Sequence, residues 1–275
     1  MSDLIVKPSQ IPDAEGNLLR ITPESAGWEH VGFEVYTLGR GERLSRPTGS
    51  QEACIVLLGG KADVSTDKLE WKQIGGRMSV FEKIPPYSVY VPSGDSFAIT
   101  ALTELRIAVC WAPGKGSQPA RLIAPGQVGV ELRGQGSTER LIHNILPESE
   151  AADSLLVVEV FTPGGHWSSY PPHKHDRNFL PEESLLEETY YYQVQPEQGF
   201  AVQRVYTDDG SLNETLSVAS GEAVLVPRGY HPVSAPPGYE VYYLNVMAGP
   251  VRAWKFYNDP NHAWLMPKPA NLPGV

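Results

Sequence analysis

Short runs of β-favouring residues, cut by Gly, Pro and Asp turns, recur along nearly the whole chain and constrain its fold more than any other feature. In the first half they are VGFEVYTL (31–38), ACIVLL (53–58), SVYVP (88–92), FAIT (97–100) and LRIAVCW (105–111). In the second half they are LLVVEVFT (155–162), TYYYQV (189–194), FAVQRVY (200–206), AVLVP (223–227) and VYYLNVMA (241–248). Helical periodicity is nearly absent, and the best helical segment, PEESLLEE (181–188), is short. An all-β sandwich or barrel is predicted, and 26 Gly, 25 Pro and 13 Tyr suit it.

The halves also resemble each other. PGKGSQPA (113–120) reads as a linker, dividing residues 1–115 from residues 116–275. GSQEACIVLLGGKADV (49–64) aligns with LEETYYYQVQPEQGFAV (186–202), which sets Glu52 opposite Glu188. Pro92-Ser93-Gly94 aligns with Pro227-Arg228-Gly229, which sets Ser96 opposite His231. Two tandem β-barrels follow from this duplication. The N-terminal barrel is expected to bind no metal, because Pro47, Gly49 and Ser96 stand about where histidines would be needed.

A net charge of −10 with no long Lys/Arg cluster argues against nucleic acid or an anionic membrane as partner. No apolar run approaches the roughly 18 residues of a membrane span. The start, MSDLIVKPSQ, has no signal-peptide pattern, so a cytoplasmic location is expected. Cys54 and Cys110 lie in apolar runs and are expected to be buried free thiols.

The chemistry centres on PPHKHD, with His173 and His175, and on PRGYHP, with His231. Residues two apart on a strand share a face, so His173 and His175 point together. A third histidine and a glutamate, Glu188 or its neighbour Glu187, complete a three-His, one-carboxylate set for one divalent metal ion. Zn, Mn, Fe, Ni and Co all suit such a set. Glu188 is favoured because it opens the strand ETYYYQV. The stretch DRNFLPEESLLE between the histidines and this glutamate reads as an insertion, a flap over the barrel mouth. His30, His143, His166 and His262 read first as ordinary hydrogen-bonded histidines.

Gly221-x5-Pro227-x-Gly229-x-His231, following His173-x-His175, resembles the cupin motifs, so the chain is similar to a bicupin. Three further segments narrow the resemblance: VGVELRGQGSTERLIHNIL (128–146), VEVFTPGGHWSSYPPHKHD (158–176) and RAWKFYNDPNHAWL (252–265). Together they resemble the IolB family, the 5-deoxy-glucuronate isomerases of myo-inositol catabolism, along essentially the whole chain. The resemblance implies an aldose–ketose isomerisation of 5-deoxy-D-glucuronate to 2-deoxy-5-keto-D-gluconate. Its sister group is the 5-keto-4-deoxyuronate isomerases of pectin breakdown. A cupin dioxygenase and a non-catalytic sugar-binding bicupin are the other readings open to such a chain.

The isomerisation needs a proton taken from C2 and one delivered to C1, or a hydride shift between them. His166, Tyr170, Tyr190 and Tyr192 are the candidate proton-moving groups near the barrel mouth. Arg177, Arg133 and Arg140 are the candidates for a bidentate grip on the substrate carboxylate. The partner is thus a small sugar acid, and association into homo-oligomers through edge strands would be ordinary.

Overall fold

Two β-sandwich barrels stand back to back in the computed structural model, which describes residues 3–266. The first barrel closes a six-stranded sheet against a four-stranded one. Its large sheet runs, in spatial order, Arg121–Ile123, Ser88–Val91, Gln51–Gly59, Leu105–Pro113, Gly32–Leu38 and Asn17–Ile21. The second barrel closes a seven-stranded sheet against another four-stranded one. Its large sheet runs Ile5–Val6, Ala223–Val226, Glu187–Gln195, Glu240–Ala248, Leu156–Thr162, Arg140–Leu146 and Gly129–Arg133.

Burial explains why the strands read as they do. Glu187–Gln195 and Glu240–Ala248 pack on both faces, so they carry near-continuous apolar and aromatic runs. Asn213–Ala219 faces water on one side and alternates instead. One core fills each barrel, around Tyr36 and Phe97 in the first and around Tyr192 and Tyr243 in the second. A third core lies between the large sheets and takes Val35, Cys54 and Tyr90 from one, Val157, Tyr191 and Tyr242 from the other. Cys54 and Cys110 pair across neighbouring strands there, both buried and both free.

A charged network crosses the same interface. Arg77 of the first half grips Glu159 of the second with two bonds of 2.7 and 2.8 Å. His143 Nδ1 at 2.7 Å and the Tyr242 hydroxyl at 2.9 Å complete the carboxylate's partners. Arg77 is 3% exposed and Glu159 fully buried, so neither charge has water to fall back on.

The register corrects the repeat alignment. In the first barrel Ala53 pairs with Val91 and with Trp111. In the second, Glu188 pairs with Val226 and with Met247. Val91 and Val226 each precede the matching prolines, so Ala53, not Glu52, occupies the Glu188 position. Glu52 matches Glu187. A one-residue slip turns a side chain to the opposite face of the sheet.

The chain path is also more interlocked than a cut at 115/116 suggests. Ile5–Val6 lies in the second barrel's sheet against Ala223–Val226. Arg121–Ile123 lies in the first barrel's sheet against Ser88–Val91. Each half thus supplies one edge strand to the other.

PEESLLEE is not a helix. Glu183–Leu185 pairs with Asp176–Phe179 in a hairpin, and Glu187 already opens the next strand. Its apolar Leu185 and Leu186 pack on a sheet rather than on a helical stripe, which tertiary context decides. Among the described residues the only α-helix is Pro23–Ala26, and no helix is long and apolar enough to cross a membrane.

Candidate metal centre

Strand alternation builds this site. His173 and His175 flank Lys174, whose ammonium turns to the other side and meets Asp208 at 2.5 Å. His175, between the short strands His173–Lys174 and Asp176–Phe179, meets Glu188 of the strand Glu187–Gln195 with Nε2 and Oε2 3.0 Å apart. His231 follows the turn at Gly229 and sets its own Nε2 3.1 Å from the same oxygen. Gly229 has φ +88 and a Cβ there would meet the Tyr206 carbonyl at 2.3 Å, so this turn requires glycine. The ligand atoms of His175, Glu188 and His231 lie within 4.8 Å of one another, and all three residues are buried.

Backbone carbonyls orient both imidazoles. His175 Nδ1 lies 3.1 Å from the Leu186 carbonyl and His231 Nδ1 2.8 Å from the Gly229 carbonyl. A carbonyl only accepts, so each Nδ1 carries the proton and each Nε2 is left to bind. His231 Nε2 is close to the carboxylate yet makes no hydrogen bond, because the two groups are not aligned for one. A buried nitrogen lone pair facing a carboxylate oxygen is repulsive unless a cation lies between them. The donor set therefore fits a divalent ion held by nitrogen and oxygen.

Charge agrees with that fit. Unless a cation lies between them, the Glu188 carboxylate draws protons onto the imidazoles. Burial drives its carboxyl up, but pairing with protonated His175 and His231 overcomes that and brings it down to about 2. Burial pulls His175 down, and the same pairing outweighs it and raises His175. Burial holds His173 well below the usual imidazole range, so it stays neutral as a ligand must.

His173 stands at the edge of this group rather than within it. Its ring centroid is 5.0 Å from that of His231 and 6.4 Å from that of His175. The Phe256 ring packs on it at 4.8 Å, just ahead of the strand Tyr257–Asn258 that pairs with His173–Lys174. Glu187 is committed elsewhere: its carboxylate accepts from the amides of Glu29, His30 and Val31 at 2.8–2.9 Å.

The other candidates separate by their partners. Arg177 is half exposed and held by Glu183 at 2.6 Å, and Arg133 is held by Glu131 at 2.8 Å. The structure does not bring these two into the centre, because a nearer carboxylate takes each. Arg140 is 8% exposed and donates to the Thr138 carbonyl at 3.0 Å. Among the described residues no carboxylate forms a salt bridge with it, although Glu131 is near enough to act on its charge. Its charge acts on Tyr243 of the barrel interior. Tyr192 spends its hydroxyl on Gln203 at 2.9 Å, deep in the barrel, which removes it from the proton-moving candidates. Tyr190 stands 5.7 Å from the His231 ring. Burial and the Glu188 charge push the Tyr190 phenol well above its usual range, so it is a neutral donor rather than a base. His166, half buried, holds the Glu139 carbonyl at 2.8 Å through Nδ1, and Tyr170 packs on Trp167.

Sequence reasoning missed Tyr243, Ser169 and Phe256. Tyr243 pairs with Tyr192 in the sheet, and the Ser169 hydroxyl bridges Tyr190 and Tyr243. VYYLNVMA was legible as a strand, but it carries no ligand to show which face turns inward. A wide depression of about 870 Å³ opens at the mouth of the first barrel, beside Glu34, Arg46 and Trp111. There Glu34 accepts from Arg20, Tyr36 and Trp111, and Ala53 stands where the second barrel has Glu188.

Back-to-back antiparallel barrels with one His/Glu cluster in the second mouth define a bicupin. The chain matches the family model described as the KduI/IolB family over residues 4–265, and it belongs to that family. A 5-deoxy-glucuronate isomerase of Geobacillus kaustophilus is 66% identical over 266 residues, covering 97% of this chain and 96% of that one. Another, of Bacillus subtilis strain 168, is 49% identical over 269 residues, covering 97% and 99%. Among solved structures, an IolB-like protein from Salmonella typhimurium LT2 superposes with a TM-score of 0.94 at 51% identity, covering 96% of this chain and 99% of that chain. An oxalate decarboxylase of Lactobacillus farciminis shares the fold, with a TM-score of 0.68 at 13% identity over 97% and 91% of the chains.

Proposed function

We propose that this chain is a metal-dependent 5-deoxy-glucuronate isomerase, an aldose–ketose isomerase that makes 2-deoxy-5-keto-D-gluconate in the cytoplasmic breakdown of myo-inositol. The activity is carried by one observation: isomerases of that name match it along nearly their whole length, at up to 67% identity. Its partner is a small sugar acid, not nucleic acid or membrane.

His175, Glu188 and His231 would hold one divalent ion, with His173 as the fourth ligand from the rim. A bound ion supplies Lewis acidity toward the substrate carbonyl and its neighbouring hydroxyl. The protein's residues supply the rest. Leu186 and Gly229 fix the imidazoles through their carbonyls, so the donor set is preorganised. Arg140, buried and in no salt bridge among the described residues, is the residue suited to the substrate carboxylate. Tyr190 offers a neutral hydroxyl beside His231. His166, with Nδ1 fixed on Glu139, presents Nε2 as the acceptor for the C2 proton.

The deciding experiment is NMR of the purified protein with 5-deoxy-D-glucuronate in D2O, anaerobically, before and after a chelator. Conversion to the ketose that the chelator stops is the expected result, with deuterium at C1 marking proton transfer. No conversion by protein with metal demonstrably bound would sink the reading.

A further inference from the structure

Ser169 has φ 47, the left-handed backbone that favours glycine, in the loop that leads into the two histidines. The same loop uses glycine where only the conformation matters, at Gly165 with φ 84. A serine at a strained position calls for a use of its side chain. Its hydroxyl lies 3.0 Å from the Tyr190 hydroxyl and 3.4 Å from that of Tyr243. Both phenols are 1% exposed, whereas Ser169 itself reaches the barrel mouth half buried. The Tyr190 and Tyr243 rings are 5.0 Å apart, and Tyr190 lies edge-on to His231 at 5.7 Å.

We propose that Ser169 is a positioning residue for the isomerisation, fixing the Tyr190 hydroxyl as a hydrogen-bond donor to a substrate oxygen beside His231. In this arrangement Tyr243 donates to Ser169, Ser169 donates to Tyr190, and Tyr190 is left with its own proton to give. The chain of hydroxyls has one direction because a phenol that accepts from Ser169 keeps its O–H for another acceptor. Arg140 places positive charge on the Tyr243 side, where the Ser168 hydroxyl is a second partner of the Tyr243 phenol. The strain at Ser169 is thus borne for a donor held ready in the barrel mouth. The inference rests on the isomerase reading above.

The test compares Ser169→Ala, Ser169→Gly and Ser169→Asn with Tyr190→Phe and the double variant Ser169→Ala/Tyr190→Phe, each with its metal content measured. Ala and Gly are expected to lower kcat about 10- to 100-fold with metal content and KM little changed. Gly, which relieves the backbone, is expected to raise Tm while activity still falls. Asn tolerates the left-handed region and carries a donor, so it is expected to restore part of the rate. The double variant should be no slower than Tyr190→Phe alone, since both changes remove one device. Wild-type kcat in Ser169→Gly, or fully additive losses in the double variant, would overturn the proposal and leave the isomerase reading intact. A wild-type enzyme that holds metal but never turns over 5-deoxy-D-glucuronate would overturn both.

Discussion

Glu52 and Glu187 occupy equivalent places in the two barrels, and each grips the chain of the other. Glu187 accepts from the amides of Glu29, His30 and Val31, just before the first barrel's strand Gly32–Leu38. Glu52 accepts from the amides of Asp153, Ser154 and Leu155, just before the second barrel's strand Leu156–Thr162. Each carboxylate so satisfies three consecutive backbone donors of the other half, Val31 and Leu155 among them being buried, and it does so across the interface.

Replacing Glu52 by Gln turns one acceptor into a donor that faces other donors. At about 1.5–3 kcal/mol for each hydrogen bond to a charged group, Glu52→Gln should lose at least about 3 kcal/mol of stability. Urea unfolding of the variant should show a lower midpoint in a single transition. A midpoint unchanged from wild type would mean that this clasp does not hold the barrels together.

Metal content should follow the geometry of the centre. Glu188→Gln and His231→Ala are expected to lose the ion and the activity together. His173→Ala, at the edge of the cluster, should weaken binding about 10- to 100-fold and recover turnover in excess metal. Metal analysis after dialysis, beside rates at raised metal concentration, checks this. Full metal retention by Glu188→Gln would remove Glu188 from the site.

Arg140→Ala should raise KM for the sugar acid about 10- to 100-fold, the equivalent of about 1.5–3 kcal/mol for a charge-assisted contact. Arg177→Ala should leave KM near wild type, because that guanidinium serves Glu183. Steady-state kinetics on the two variants decides between them. Equal effects would return Arg177 to the substrate site.

Acid should weaken the interface through Glu159. Burial pushes its carboxyl up, but Arg77 and His143 outweigh burial and hold it below the ordinary carboxylate range. The stability it contributes is therefore complete above the unfolded carboxyl's range and is lost as pH falls through its folded value. Denaturation midpoints measured from pH 6 downward should fall in wild type. Glu159→Gln should start lower and depend less on pH, since it leaves Arg77 buried beside a neutral partner.

Much of this was legible in the residues. The β-runs gave the barrels, and His175, His231 and Glu188 were visible because alternation and a spaced turn motif carry their geometry. The repeat register was not, because Glu52 and Glu187 are adjacent in kind and position to the residues that would be ligands. Nothing in the composition of a strand distinguishes a slip of one. PEESLLEE mimicked a helix because its two leucines serve a hairpin and a strand start. Ser169 left no trace at all, since a serine in a loop does not announce a positive φ. Arg140, Arg133 and Arg177 looked alike until their nearest carboxylates were known.

The exchanged edge strands set an order on synthesis. The first barrel cannot close its large sheet until Arg121–Ile123 has left the ribosome, well past the point where a domain boundary would be drawn. Ile5–Val6 has no strand to join until Ala223–Val226, more than two hundred residues later, emerges. At about 5–20 residues per second that wait lasts roughly ten to forty seconds, with the nascent N-terminus unpaired throughout. A strand from late in the second half is thus the one that retrieves a strand from early in the first, so neither large sheet is complete until both halves have been made.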